Sequence, residues 1–439
     1  MKKILIKSGT VVTNGNSYQA DILIVDNKIE AIAPSIEPQD DTEIYDASGC
    51  LVTYGLVDVH THLREPGFSE KETIATATAA AAHGGFTTIF AMPNLFPCPD
   101  SVETISIEQS LIDAQAVIEV RPFATITKGR RGNEVVDVES LIPYCAGFSD
   151  DGNGVQNQEI MEEAMRQVSK AGSIIVSHCE DEALTNRGYV HAGDYAALND
   201  FRGIPSCSEY MAFQRDLDSL QKYPCRYHMC HMSTAQAVRD LHLAKKMGLS
   251  VTGETAPHYL IFTDLDIAEN HGRFKMNPPL RGSEDRNMLL QGIIDGTIDV
   301  IATDHAPHTE SEKNCSLEKA TFGIVGLETS FAVCYTHLVN RSGVISIERL
   351  IELMCDNPRR IFGLSGSLNV GEKADIAVFD ISNQYIIDHN DFLSKGKATP
   401  FDGMEVDASC VLTLFNGNIV WKDEKYFKKL SDQQNEQID

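Results

Sequence analysis

The sequence predicts an α/β fold: a distorted (β/α)8 barrel of the TIM type over residues 55–364, with a small β-sandwich built from both termini, residues 1–54 and 365–427. Three observations carry this. Short strand-like runs broken by tight turns fill both ends of the chain. Apolar runs ending in polar residues recur eight times in the middle, and helical stretches lie between most of them. That alternation is what a closed parallel barrel requires. A doubly wound open sheet is the structural alternative, but no GxGxxG opens a helix.

At the N-terminus, strands are read at 4–6, 10–13, 21–25 and 29–32, punctuated by Asn14-Gly15 and Asp26-Asn27. The same texture returns at 374–380 and 411–421, where Asn416-Gly417 forms the hinge. The eight barrel runs are 56–62, 86–94, 117–127, 147–151, 173–180, 225–233, 249–258 and 299–308. Helices are read at 71–83, 158–170, 208–222 and 234–247. Ser69 with Glu72 and Ser233 with Gln236 fit capping boxes, and Gly84, Gly172 and Gly248 stand at helix stops. Residues 428–439 read as a disordered polar tail.

With 63 acidic against 37 basic residues, the formal charge is −26, which disfavours nucleic acid or an anionic membrane as a partner and favours solubility. No apolar run approaches the ~20 residues of a bilayer span. Lys7 interrupts the N-terminal apolar stretch before a signal peptide can form. The 11 cysteines contain no CxxC pair, as expected of reduced thiols in a cytoplasmic protein.

The chemistry sits at the strand ends. Alternate strand residues share a face, so His60 and His62 aim together into the barrel from the first strand. Asp151 closes the fourth strand, His178 the fifth, His231 the sixth and Asp304 the eighth. In a barrel these carboxyl ends converge on one mouth. Four histidines and two aspartates have no structural reason to be buried together unless a cation orders them. Singly each is unremarkable; as a set they point to one or two metal ions, with a binuclear centre favoured. Zinc suits the donors best, and manganese or cobalt are substitutes. Two ions about 3.5–4 Å apart, bridged by a carboxylate and a hydroxide, would make a hydrolase with that hydroxide as nucleophile. Asp304 would then serve as both ligand and general base and acid.

The run from His60 to Gly67 (HTHLREPG) closely resembles the metal-binding opening of the class I bacterial dihydroorotases of the amidohydrolase superfamily. So do Met92-Pro93-Asn94, the run SHCED from Ser177, NPPLR from Asn277 and DHAPH from Asp304. The resemblance spans the first barrel strand to Phe401. It implies one metal on His60, His62 and Asp304, a second on His178 and His231, and a bridging carboxylate after the fourth strand. That bridge falls at Asp151, with Asp150 its neighbour and alternative; no lysine lies between Arg131 and Lys170, and carboxylation of Lys128 is disfavoured. The implied reaction is reversible hydrolysis of L-dihydroorotate to N-carbamoyl-L-aspartate, a step of pyrimidine biosynthesis. A homodimer, and association with aspartate transcarbamoylase, are further implications.

Substrate contacts follow. Arg64 supplies a bidentate clamp for the substrate carboxylate. Asn94 adds an amide donor, Asn277 pairs with the ring's amide edge, His308 reaches the carboxylate, and His62 lies beside the ring. Backbone groups of Phe322 and Gly323 complete the ring's recognition by resemblance. For Arg64 the competing reading is a surface ion pair with Glu65 or Glu70. An allantoinase or dihydropyrimidinase would share the metal chemistry but has no need of Arg64; a non-catalytic assembly partner would have lost ligands. His83, His191, His242, His271, His337 and His389 read as exposed, His228 as packing, His258 as near the site without a role, His305 as supporting, and Cys179 as pointing away. The polar stretch 305–315 reads as a mobile loop.

Overall fold

The computed structural model describes residues 2–436. The two chain ends meet in one eight-stranded sheet. Its order is Asn418–Lys422, Ser409–Phe415, Ile376–Asp380, Cys50–Tyr54, Lys3–Thr13, Asn16–Val25 and Lys28–Ala33, and Thr42–Asp46 pairs separately with Lys3–Thr13. The sheet forks at Lys3–Thr13: residues 3–7 pair with Thr42–Asp46, and residues 10–12 pair with Cys50–Tyr54. At the fork the register slips between Ile6 and Gly9, with Ser8 at φ 59°. A Cβ on Gly9 would stand 2.4 Å from Val52 Cγ2, so only glycine lets the strands approach there.

Between these ends the parallel strands close a ring. Leu56–Thr61, Phe86–Ala91 and Glu119–Pro122 form one arc; Ile174–Ser177, Arg226–Met229, Val251–Thr255 and Val300–Ile301 form the other. The expected fourth strand is reduced to one residue. Phe148 bridges Ala124 on one side and Ile175 on the other, through backbone bonds of 2.8–3.0 Å. The other seam closes where the His62 amide donates to the His305 carbonyl at 2.8 Å. The irregular strands at both seams give the barrel its distortion. Inside the ring, Val57, Val59, Phe90, Phe123, Val176 and Val300 form a buried cluster.

Local signals explain several departures. The first barrel helix, Ile74–His83, is capped by Thr73 in a box with Thr76, not by Ser69. Glu72 is instead buried, bonded to the Ser394 hydroxyl and the Lys395 amide. Thr234 rather than Ser233 caps Ala235–Lys246, and Glu209 holds both residues. Residues 381–408, assigned by sequence to the sandwich, leave the sheet and lie on the barrel. There Phe392, Phe401 and Val406 bury against Val325 and Val333, and the Val325 amide donates to Ala398 O at 2.9 Å. The tail expected to be disordered begins instead as a helix, Glu424–Glu436; the expectation for 437–439 falls outside the described residues. Among the described residues no helix is long and apolar enough to cross a membrane.

Candidate active site

Simple alternation would turn His60 away from the barrel face that Val57 and Val59 share. Between Asp58 and Thr61, however, three residues of the first strand answer two of the second. This bulge breaks the alternation and brings His60 and His62 to one centre. His231 and Asp304 are turned inward by left-handed backbone, at φ 31° and 49°, and Arg64 has φ 63°. Such conformations cost non-glycine residues on the order of 1 kcal/mol each and gather at functional sites.

All six proposed ligands are buried. His60, His62 and Asp151 converge as one potential metal group, and Asp151, His178 and His231 as another, so Asp151 belongs to both. Its Oδ1 lies 3.5 Å from His60 Nε2, His178 Nδ1 and His231 Nε2, and its Oδ2 lies 3.5 Å from His62 Nε2. Asp304 Oδ1 stands 3.2 Å from His62 Nε2 and 3.5 Å from His60 Nε2. Asp150 is excluded from the centre. Its carboxylate accepts from the Ile126 and Thr127 amides and the Thr127 hydroxyl, which ties the third strand's end to the fourth. Lys128 is exposed and bonded to Glu134.

The donor atoms fit a cation. His60 Nε2 and Asp151 Oδ1 are buried without a hydrogen-bond partner, and His178 Nδ1 faces His231 Nε2 at 2.8 Å. Lone pairs so arranged need a shared electrophile. The field agrees. Burial opposes charge on His60 and His178, yet Asp151, with Glu254 or Glu180, raises the first well above its ordinary value and the second to about 10. At His62 burial, with Arg64 nearby, lowers the pKa instead, so the pull toward positive charge is local to His60 and His178.

Glu254, near the end of the seventh strand, is the residue sequence reasoning missed. It is fully buried and accepts from His60 Nδ1 at 2.6 Å, His228 Nε2 at 3.1 Å and the His231 amide at 3.2 Å. Burial would raise its pKa, but His60 and His228 pull it down. Fixing the proton on His60 Nδ1 leaves Nε2 free as a ligand. Asn94 Oδ1 does the same for His62, accepting from Nδ1 at 2.8 Å. A buried acid at a strand end was the available signal, in Gly253-Glu254-Thr255. His228, read as packing, belongs to this network, and His191, read as exposed, is buried beside Arg281. His258 is buried with Nε2 unpartnered, and Cys179 turns away toward Tyr227.

One cavity of about 210 Å3 joins the cluster to every proposed substrate contact: Arg64, Asn94, Asn277, His308, Phe322 and Gly323. Arg64 is 8% exposed and makes no ion pair among the described residues, which removes the surface-pair reading. Its Nε donates to Pro307 O at 3.1 Å. His308 Nε2 lies 2.7 Å from Phe322 O and so carries the proton it donates there; Nδ1 then accepts from Lys71 at 3.3 Å. Burial, with Arg64 and Lys71 nearby, lowers the His308 pKa to about 3, so the ring is neutral. Asn277 donates to Glu180 at 3.1 Å, leaving Oδ1 buried and unpartnered toward the cavity. The stretch 305–315 is anchored rather than loose: Lys313 is buried and donates to Lys275 O and Thr321 O, and Glu312 pairs with Lys71 at 2.7 Å.

A closed α/β barrel with four histidines and two aspartates at the strand ends defines a metal-type hydrolase of the amidohydrolase kind. Comparison with known proteins agrees. Residues 49–237 match the family model described as dihydro-orotase-like. The chain is 46% identical over 423 residues to a dihydroorotase of Fusobacterium nucleatum, covering 96% of this chain and 99% of that one. Dihydroorotases of Bacillus cytotoxicus and Staphylococcus aureus are each 45% identical, with 98% and 100% of their lengths covered. Among solved structures, the L-hydantoinase (dihydropyrimidinase) of Arthrobacter aurescens superposes with a TM-score of 0.87 at 28% identity, over 96% of each chain. A dihydropyrimidinase from Brevibacillus agri, 23% identical with a TM-score of 0.83, shares the fold. The chain belongs to the dihydroorotase family, and it is a hydrolase of cyclic amides.

Proposed function

We propose that this chain interconverts L-dihydroorotate and N-carbamoyl-L-aspartate, and that His60, His62, Asp151, His178, His231 and Asp304 would hold zinc, with Asp151 common to both groups of donors. The observation that carries the substrate assignment is Arg64, a buried cation without a carboxylate partner among the described residues, facing the cavity that holds the histidine–aspartate cluster. A neutral hydantoin or dihydropyrimidine gives such a group nothing to bind, whereas the carboxylate of dihydroorotate satisfies it.

When bound, zinc supplies an acidified water and polarises the amide carbonyl. The chain's own residues do the rest. Arg64 and Asn94 hold the carboxylate, and His308 fixes the Phe322 carbonyl at the ring. Asn277 Oδ1 accepts a ring N–H. Asp304, near His60 and His62, takes the proton from the attacking water and delivers it to the leaving ring nitrogen as the C–N bond breaks. The products are a carboxylate and a ureido nitrogen. Both directions share this transition state.

Eleven unpaired cysteines support a reducing, cytoplasmic setting. The family resemblance supports a homodimer and docking to aspartate transcarbamoylase, which light scattering and co-sedimentation test. The substrate test is steady-state turnover of the zinc-loaded protein on L-dihydroorotate, allantoin and dihydrouracil. Turnover of dihydroorotate alone is expected; preference for a neutral ring overturns the assignment, and inactivity with zinc bound turns attention to an assembly role.

A further inference from the structure

Phe322 and Gly323 form one wall of the substrate cavity, and two buried lysines that do not themselves line that cavity hold this wall. Lys275 is 4% exposed and Lys313 3%. Neither has a carboxylate partner among the described residues, and the nearby acids are engaged elsewhere: Glu312 with Lys71 at 2.7 Å, Glu318 with Arg202 at 3.1 Å. Both ammonium groups turn instead to backbone carbonyls. Lys275 Nζ donates to Ala320 O at 2.6 Å and Glu318 O at 3.4 Å, and stands 4.4 Å from the centre of the Phe322 ring. Lys313 Nζ donates to Thr321 O at 2.8 Å and to Lys275 O at 3.0 Å, where the Gly323 amide also donates at 3.1 Å. His308 takes the next carbonyl, Phe322 O. Of the five carbonyls from 318 to 322, four therefore accept from basic side chains, in a segment that no helix or strand orders.

Burying an ammonium group without an acid is unfavourable. Burial pushes Lys275 down to about 8 and Lys313 down to about 7, the second also through the charge of Lys275. Apolar side chains would fill both places at less cost, so the two charges point to a task other than stability. We propose that Lys275 and Lys313 are positioning residues for the reaction: they gather the carbonyls of residues 318–321 and so set the Phe322–Gly323 wall where the substrate ring meets it. The inference rests on the reading above that this wall recognises the ring. Neither lysine touches substrate; each acts through the backbone it holds.

The test is steady-state hydrolysis of L-dihydroorotate by zinc-loaded wild type, Lys313→Met and Lys275→Met, with bound zinc and the urea midpoint measured on the same samples. Methionine keeps most of the stem and removes the N–H donors. A misplaced backbone contact to the ring is worth about threefold to tenfold in binding. KM should rise by about that factor in each variant, with kcat within about twofold of wild type and zinc content unchanged, because the wall meets the ring and not the metal donors. An unchanged KM in the folded variants overturns the proposal. So does a joint fall of kcat, bound zinc and urea midpoint, which would make the lysines supports of the fold alone. Should one variant fail to fold, the other reads the same split; failure of both assigns the lysines to the fold and likewise overturns it. If wild type prefers a neutral ring to dihydroorotate, the substrate reading falls instead, and the same split measured on that ring still decides the role of the lysines.

Discussion

Replacing Arg64 by methionine keeps most of the buried stem and removes only the guanidinium. Of its five N–H groups one is used, by Pro307 O at 3.1 Å. The contact to His308 Nε2 at 3.2 Å is no hydrogen bond, because that nitrogen already donates to Phe322 O. Four N–H groups therefore remain for a substrate carboxylate, enough for a fork-like pair. Losing one partner of a buried charged pair costs about 2–5 kcal/mol. In kcat/KM this is about 30- to 4,000-fold, at 1.4 kcal/mol per factor of ten. Arg64→Lys keeps the charge and loses the fork, so it should recover part of this. The assay is hydrolysis of L-dihydroorotate at saturating zinc, with bound metal measured on the same samples. Metal content should not change. Less than a threefold loss in kcat/KM at full metal occupancy would refute the clamp. So would a loss matched by zinc depletion, which would make Arg64 a support of the centre rather than of substrate.

Further outcomes separate the roles of neighbouring acids. Asp151→Asn should abolish stoichiometric metal binding, whereas Asp150→Asn should bind metal and lower the urea midpoint, as expected for a carboxylate spent on backbone amides; metal analysis and denaturation distinguish them. Glu254→Gln should weaken metal affinity about 10- to 100-fold by loosening the His60 tautomer, seen in chelator competition. Glu108 offers a pH prediction away from the site. It is buried in helix Val102–Gln115 with both oxygens unpartnered, and burial raises its pKa well above the ordinary 4.5. Its protonated form is the one the fold accepts, so its stability contribution is full below 4.5 and is lost as pH rises through the folded value. Glu108→Gln should raise the urea midpoint at pH 8 more than at pH 5; an equal shift at both would contradict the buried titration.

The sequence by itself determined the barrel, its eight repeating runs and the identity of the cluster, because strand ends in such a barrel must converge and each proposed ligand closes or abuts a strand. It could not supply the two seams. A fourth strand of one paired residue has no periodic signature, and the bulge that turns His60 inward is a property of two strands together. The choice between Asp150 and Asp151 also needed three dimensions: adjacent carboxylates look alike in sequence, and only the Ile126 and Thr127 amides show that Asp150 is already spent. Glu254 escaped notice because its partners, His60, His228 and His231, come from other strands. Residues 381–408 lie between two runs read as sandwich strands, yet the burial of Phe392 and Phe401 against the barrel decides their place. Local patterning fixes which residues alternate, cap and turn; which polar groups satisfy one another across the chain is decided by tertiary contact, since a buried donor or acceptor must find its partner wherever the fold brings one.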